Sequence, residues 1–127
     1  MKVENPESKR LAEVAVDALE DLKGISIRHI EVTGLTDITD FMVIATGRSS
    51  THVKALADEV VKKVRESGRE VLGVEGRSHS EWVLVDAGDV LIHVMVASVR
   101  ALYKLEDLWD FEATVVSQTE AAPAIHT

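Results

Sequence analysis

The chain has 127 residues, with 14 Lys and Arg against 22 Asp and Glu, a formal net charge of −8, and no cysteine. That length makes a single domain able to bury one real core, and the missing thiols exclude disulfides, thiolate metal sites and cysteine nucleophiles, as suits a reducing compartment. The acidic balance argues against nucleic acid as the main partner, because phosphate binding needs clustered Lys and Arg, and favours a basic protein.

The predicted elements run as follows. Asn5-Pro6-Glu7 is an N-cap, a proline at the first helical position and an acid in the first turn. Leu11, Val14, Ala15, Ala18, Leu19 and Leu22 follow at the spacing of one buried helical stripe, which Gly24 stops. Ile25 to Val32 alternates as a strand, Gly34 to Thr39 is a turn-rich connection, and Phe41 to Ala45 is an apolar run short enough for a buried strand. Beyond Gly47-Arg48-Ser49-Ser50, the residues Val53, Leu56, Ala57, Val60 and Val64 repeat at helical spacing up to Gly68, with Ser49 or Ser50 as the cap. A strand from Glu70 to Val74 and a polar loop from Gly76 to Ser80 come next.

Trp82 to Asp86, Ala87-Gly88 and Asp89 to Val96 form the clearest hairpin. Ser98 then caps a single last helix carrying Val99, Leu102, Leu105, Leu108 and Trp109. Residues 1–112 are the domain, and 113–127, which lose all periodicity, are expected to be a flexible tail. The order of elements predicts an α/β fold with one mixed five-stranded sheet, in which the connection through the second helix is a right-handed parallel crossover. No uncharged run approaches the ~18 residues of a membrane span, and Met1 to Pro6 has no apolar signal stretch, so a cytoplasmic protein is expected.

With Ala87-Gly88 as the whole loop, Asp86 faces Asp89, Leu84 faces Leu91 and Trp82 faces His93. Alternation then puts Val83, Val85, Val90, Ile92, Val94 and Val96 on a face under the helices. The opposite face is mixed, with Trp82, Leu84, Asp86, Asp89, Leu91, His93 and Met95. Two opposed carboxylates repel, which calls for a positive group nearby. The face is either a binding surface or a packing surface for the last helix whose aspartates only form the turn. Arg100 and Tyr103, at the start of that helix, are chemically suited to join a binding patch.

Catalysis and metal binding find no support in the residues. His93 has no second ligand at metal spacing, so no metal and no cofactor are expected. The turn at Thr46-Gly47-Arg48-Ser49 could hold an anion at a helix start, yet it lacks a phosphate-loop pattern, and the Asp-x-Asp that metal-dependent nucleotidyl transfer would need does not follow it. Asp110-Phe111-Glu112 has that spacing only at the end of the last helix.

Taken together, Asp40 to Ser49, His52-Val53, Glu75-Gly76, Glu81 to Val90, His93-Val94 and Arg100 to Trp109 closely resemble the ribosomal silencing factor family, also called Iojap-like. The resemblance spans about Ser8 to Phe111, and departs from the family pattern at Met42, Ala87 and Leu102, where aromatics are frequent, and at Ser98. It implies a nucleotidyltransferase-like fold without catalytic acids, hence no enzyme. It further implies binding to the large ribosomal subunit through its ribosomal protein fourteen, with limited direct RNA contact, which blocks joining of the small subunit and represses translation under nutrient limitation. A homodimer is expected in the free state. Trp82, Leu84, Asp86, Asp89, Leu91, His93, Arg100 and Tyr103 are the expected partner-binding residues. The alternatives are a large-subunit assembly factor and an active nucleotidyltransferase.

Overall fold

The computed structural model describes residues 6–109, so Asn5 as a cap, the acids at 110 and 112 and the expected tail lie outside it. Helix α1 (Pro6–Asp21) leads into β1 (Ile25–Glu31), β2 (Phe41–Gly47), α2 (Ser50–Glu66), β3 (Gly73–Glu75), β4 (Trp82–Asp86), β5 (Val90–Val96), α3 (Ala97–Tyr103) and α4 (Leu105–Trp109). The five strands make one mixed sheet, as expected, and its order is β1-β2-β5-β4-β3, with β2 and β5 parallel and the other pairs antiparallel. Strand β2 is buried along its whole length because β1 and β5 flank it, α1 and α2 cover one face, and Ile30, Trp82, Val99 and Leu105 pack on the other. The chain returns through α2 to β3, which runs in the same direction as β2 with β5 and β4 between them.

The main core lies between α1, α2 and one sheet face. It joins Leu11, Ala15, Ala18 and Leu19 of α1 to the fully buried Val53, Leu56, Ala57, Val60 and Val64 of α2, and both to Val43, Val83, Val85, Val90, Ile92 and Val94. The helical stripe of α2 and the aliphatic face of the hairpin thus meet as their periodicities require. In α1 the stripe stops earlier than expected. Lys23 turns left-handed at φ 62°, the Gly24 N–H donates to the Leu19 carbonyl, and Leu22 is left at the surface. Ser49 caps α2, its hydroxyl accepting from the His52 N–H at 3.1 Å. Replacing Ser49 with alanine is expected to lower stability by about 1 kcal/mol, read as a lower urea midpoint at unchanged slope.

Three expectations are corrected. The strand expected over Glu70 to Val74 is only Gly73–Glu75, since β4 offers it just Leu84, Val85 and Asp86 as partners. The hairpin register is displaced by two residues: Asp86 pairs with Leu91, Leu84 with His93 and Trp82 with Met95. The turn is longer because Asp86 Oδ1 accepts the Gly88 N–H and the Ala87 N–H donates to the Val90 carbonyl. A shift of two leaves the alternation intact, so both face assignments survive, and Asp86 does not oppose Asp89. Finally, the last helix is two helices. Lys104 adopts φ 50° and ψ 48°, α3 starts at Ala97 behind Val96 rather than on a Ser98 cap, and Leu102 is 71% exposed instead of lying in a buried stripe. The left-handed residue costs roughly 1 kcal/mol, offset by an Arg100–Glu106 ion pair across the break and by Leu105 packing on the sheet.

Candidate functional site

Strand pairing defines the second face of the sheet row by row. Thr46, Met95 and Trp82 form one row, Ile44, His93, Leu84 and Glu75 the next, and Met42, Leu91 and Asp86 the third. Met42, Ile44 and Met95 are buried and form a small second core, on which Ile30, Trp82, Val99 and Leu105 pack. Helices α3 and α4 cover the Trp82 end of this face. Toward the hairpin turn, Leu84 and Leu91 stay half-exposed, with half-buried Asp86 and exposed Glu75 beside them. The result is a shallow apolar strip with an acidic margin on a rigid sheet.

Aromatic contacts organise the covered end. The Trp82 ring lies 5.0 Å from that of Tyr103 and 5.9 Å from that of His93, and the Trp82 indole N–H donates to His93 Nδ1 at 3.0 Å. Burial pushes the His93 imidazole down to about 4, so it is neutral at physiological pH. Tyr103 remains 54% exposed, with Leu102 at its side.

Of the eight expected site residues, Trp82, Leu84, Asp86, Leu91 and His93 share this face, and Tyr103 joins it through Trp82. Asp89 sits instead in the hairpin turn. Its carboxylate pairs with Arg69 at 3.1 Å, and its carbonyl accepts from the Asp40 and Phe41 N–H groups. Arg69 is the positive group that the acidic turn calls for. Arg100 turns inward: its side chain, 11% exposed, donates to the Ser26 carbonyl at 2.7 Å, Thr46 Oγ1 at 3.0 Å and Glu106 at 3.0 Å. It fastens α3 and α4 to β1 and β2 and is not presented to a partner. Met42, Ile44, Ile30 and Glu75 escaped the sequence reading, because the apolar run of β2 carries no alternation and β3 is too short to show any.

Among the described residues no group of three or more His, Asp or Glu could hold a metal ion. The turn before α2 is occupied by its own contacts. A Cβ at Gly47 would stand 2.7 Å from Val53 Cγ2, and the Arg48 N–H is taken by His52 Nδ1 while His52 Nε2 meets the Leu22 carbonyl. Among the described residues no helix is long and apolar enough to cross a membrane.

The family model described as ribosomal silencing factor during starvation matches residues 5–126. A Chromobacterium violaceum protein named ribosomal silencing factor RsfS is 46% identical over 103 residues, covering 81% of this chain and 84% of its own length. The crystal structure of a protein from the same organism superposes with a TM-score of 0.79 at 39% identity, covering 94% of this chain and 92% of that one. At 30% identity over 100 residues, 76% of this chain and 44% of the relative, the Mus musculus protein named mitochondrial assembly of ribosomal large subunit protein 1 is also similar. The extent of the family match and the identity to a silencing factor over most of both chains leave one conclusion: the chain belongs to the ribosomal silencing factor family.

Proposed function

We propose that this protein represses translation from the cytoplasm by docking the uncovered part of its second sheet face on a basic protein of the large ribosomal subunit, ribosomal protein fourteen. The bound domain then occupies surface that the small subunit needs for joining. The observation that carries this reading is the apolar strip of Leu84 and Leu91, bordered by Trp82 and lying beside Asp86 and Glu75, in a chain with a net charge of −8. Apolar area supplies affinity, and the acidic margin favours a basic protein while repelling bare RNA. In the free protein the same strip is the natural contact for a homodimer.

The test combines co-sedimentation with purified large subunits and a subunit-joining assay. Wild type is expected to sediment with large subunits and suppress joining. Leu84→Lys, which sets a positive charge in the strip, is expected to bind at least tenfold more weakly while keeping its urea midpoint. Equal binding by this variant would place the contact elsewhere, and unimpaired joining with bound wild type would remove the silencing mechanism. A second reading, assembly of the large subunit, is favoured by the name of the mouse relative. In cells lacking the protein, precursor large subunits during growth would support assembly, whereas excess joined ribosomes in starvation would support silencing.

A further inference from the structure

We infer that Trp82 holds His93 in one neutral tautomer whose Nε2–H is a specificity-determining donor on the docking face, matched to a carbonyl oxygen of the partner and mismatched to a lysine or arginine head. The inference rests on the docking reading above and deepens it.

An indole N–H can only donate, so the His93 nitrogen it meets at 3.0 Å must accept, and the ring proton belongs on Nε2. Position makes this possible. Trp82 pairs with Met95 and Leu84 with His93, so Trp82 is the diagonal neighbour of His93 across the β4–β5 ladder. The indole also meets the Tyr103 ring at 5.0 Å, which holds it in place. His93 itself lies on a strand flanked by β2 and β4, between Ile44 and Leu84, and its backbone has little freedom to move.

Its other nitrogen is different. Among the described residues nothing accepts from Nε2, although His93 is only 9% exposed. In the free protein water can serve that donor. A docked partner removes the water, so a surface offering an acceptor there is retained, and one that covers the donor with carbon or another donor is penalised by an unmade hydrogen bond. A cation fails twice, being a donor itself and meeting a ring that burial keeps neutral. A basic ribosomal protein therefore supplies its charges at Asp86 and Glu75, and a carbonyl at His93.

Nitrogen-15 NMR of the histidine rings in the full chain, paired with affinity for isolated ribosomal protein fourteen, tests both parts. Wild type is expected to show His93 protonated at Nε2 and unprotonated at Nδ1. Trp82→Phe keeps an aromatic ring beside Tyr103 but lacks the donor; it is expected to populate both tautomers and to bind several-fold more weakly. His93→Phe is expected to lose about tenfold in affinity, and His93→Gln, whose amide can donate, to recover part of that loss. A wild-type ring protonated at Nδ1 overturns the inference, as does tight binding by His93→Phe. Failure of the wild type to bind at all overturns the docking reading and the carbonyl partner with it, while the tautomer measurement still decides whether Trp82 clamps the ring.

Discussion

Replacing Arg100 with alanine is expected to destabilise the fold by about 3 kcal/mol, the low end of what breaking a buried ion pair costs. The guanidinium and the Glu106 carboxylate are 11% and 17% exposed, so solvent screens them little. Glu106 Oε1 is already buried without a hydrogen-bond partner among the described residues, and removing Arg100 strands the whole carboxylate. The Ser26 carbonyl and Thr46 hydroxyl lose their donor in the same step. Lysine is not expected to rescue, because one ammonium cannot reach three acceptors set around a planar fork. Combining Arg100→Met with Glu106→Gln is expected to recover most of the loss, since no charge is then left buried. Urea unfolding of the three variants measures this, and a loss below 1 kcal/mol for Arg100→Ala would show that the pair holds nothing together. Weaker ribosome binding by Arg100 variants would follow from release of α3 and with it of Tyr103 from Trp82, not from a lost contact.

Acidification supplies the second large effect. The ordinary histidine value is near 6.5, and burial holds His93 at about 4 in the folded chain. Between those two values the unfolded state binds a proton that the folded state refuses, so the contribution of His93 to stability is complete above pH 6.5 and falls as the pH drops toward 4. At 1.36 kcal/mol per unit, going from pH 7 to pH 5 should cost about 2 kcal/mol from this residue alone. Protonation also turns Nδ1 into a donor facing the Trp82 N–H, which opposes it further. Urea midpoints at pH 7 and pH 5 for wild type and His93→Gln read the effect as the part of the pH dependence that the variant lacks. Parallel pH dependences in the two proteins would show that His93 is not held neutral.

Some of this architecture was legible in the residues and some was not. Helix α2 was readable in full, because five apolar residues at helical spacing and a serine cap are local signals. The two faces of the hairpin are readable because alternation survives a two-residue slip, and so the grouping of Trp82, Leu84, Asp86, Leu91 and His93 follows from the sequence. The exact pairing was not. Besides the local bonds of Asp86 and Ala87, it involves Asp89 meeting Arg69, Asp40 and Phe41, residues 20, 49 and 48 positions away in the chain, and no turn rule contains those partners. The break at Lys104 was equally hidden, since Leu102 and Leu105 fit one helical stripe until the sheet and Arg100 select a kinked path. Arg100 itself shows the limit of residue type as a guide. Arginine beside tyrosine is hot-spot chemistry, yet here the guanidinium is spent inside the molecule.

By itself, then, the sequence determined the element types, the faces of helix and hairpin, the acidic character and, through its blocks of resemblance, the family. The first three follow from patterns repeated over two to four residues or from a plain count of charges, and the family from the resemblance of whole blocks of sequence. Only the tertiary structure decided that β2 sits between β1 and β5, how far α3 and α4 cover the second face, and which site residues reach that face. Those outcomes depend on contacts between distant segments, where burial and hydrogen bonding outweigh local preference.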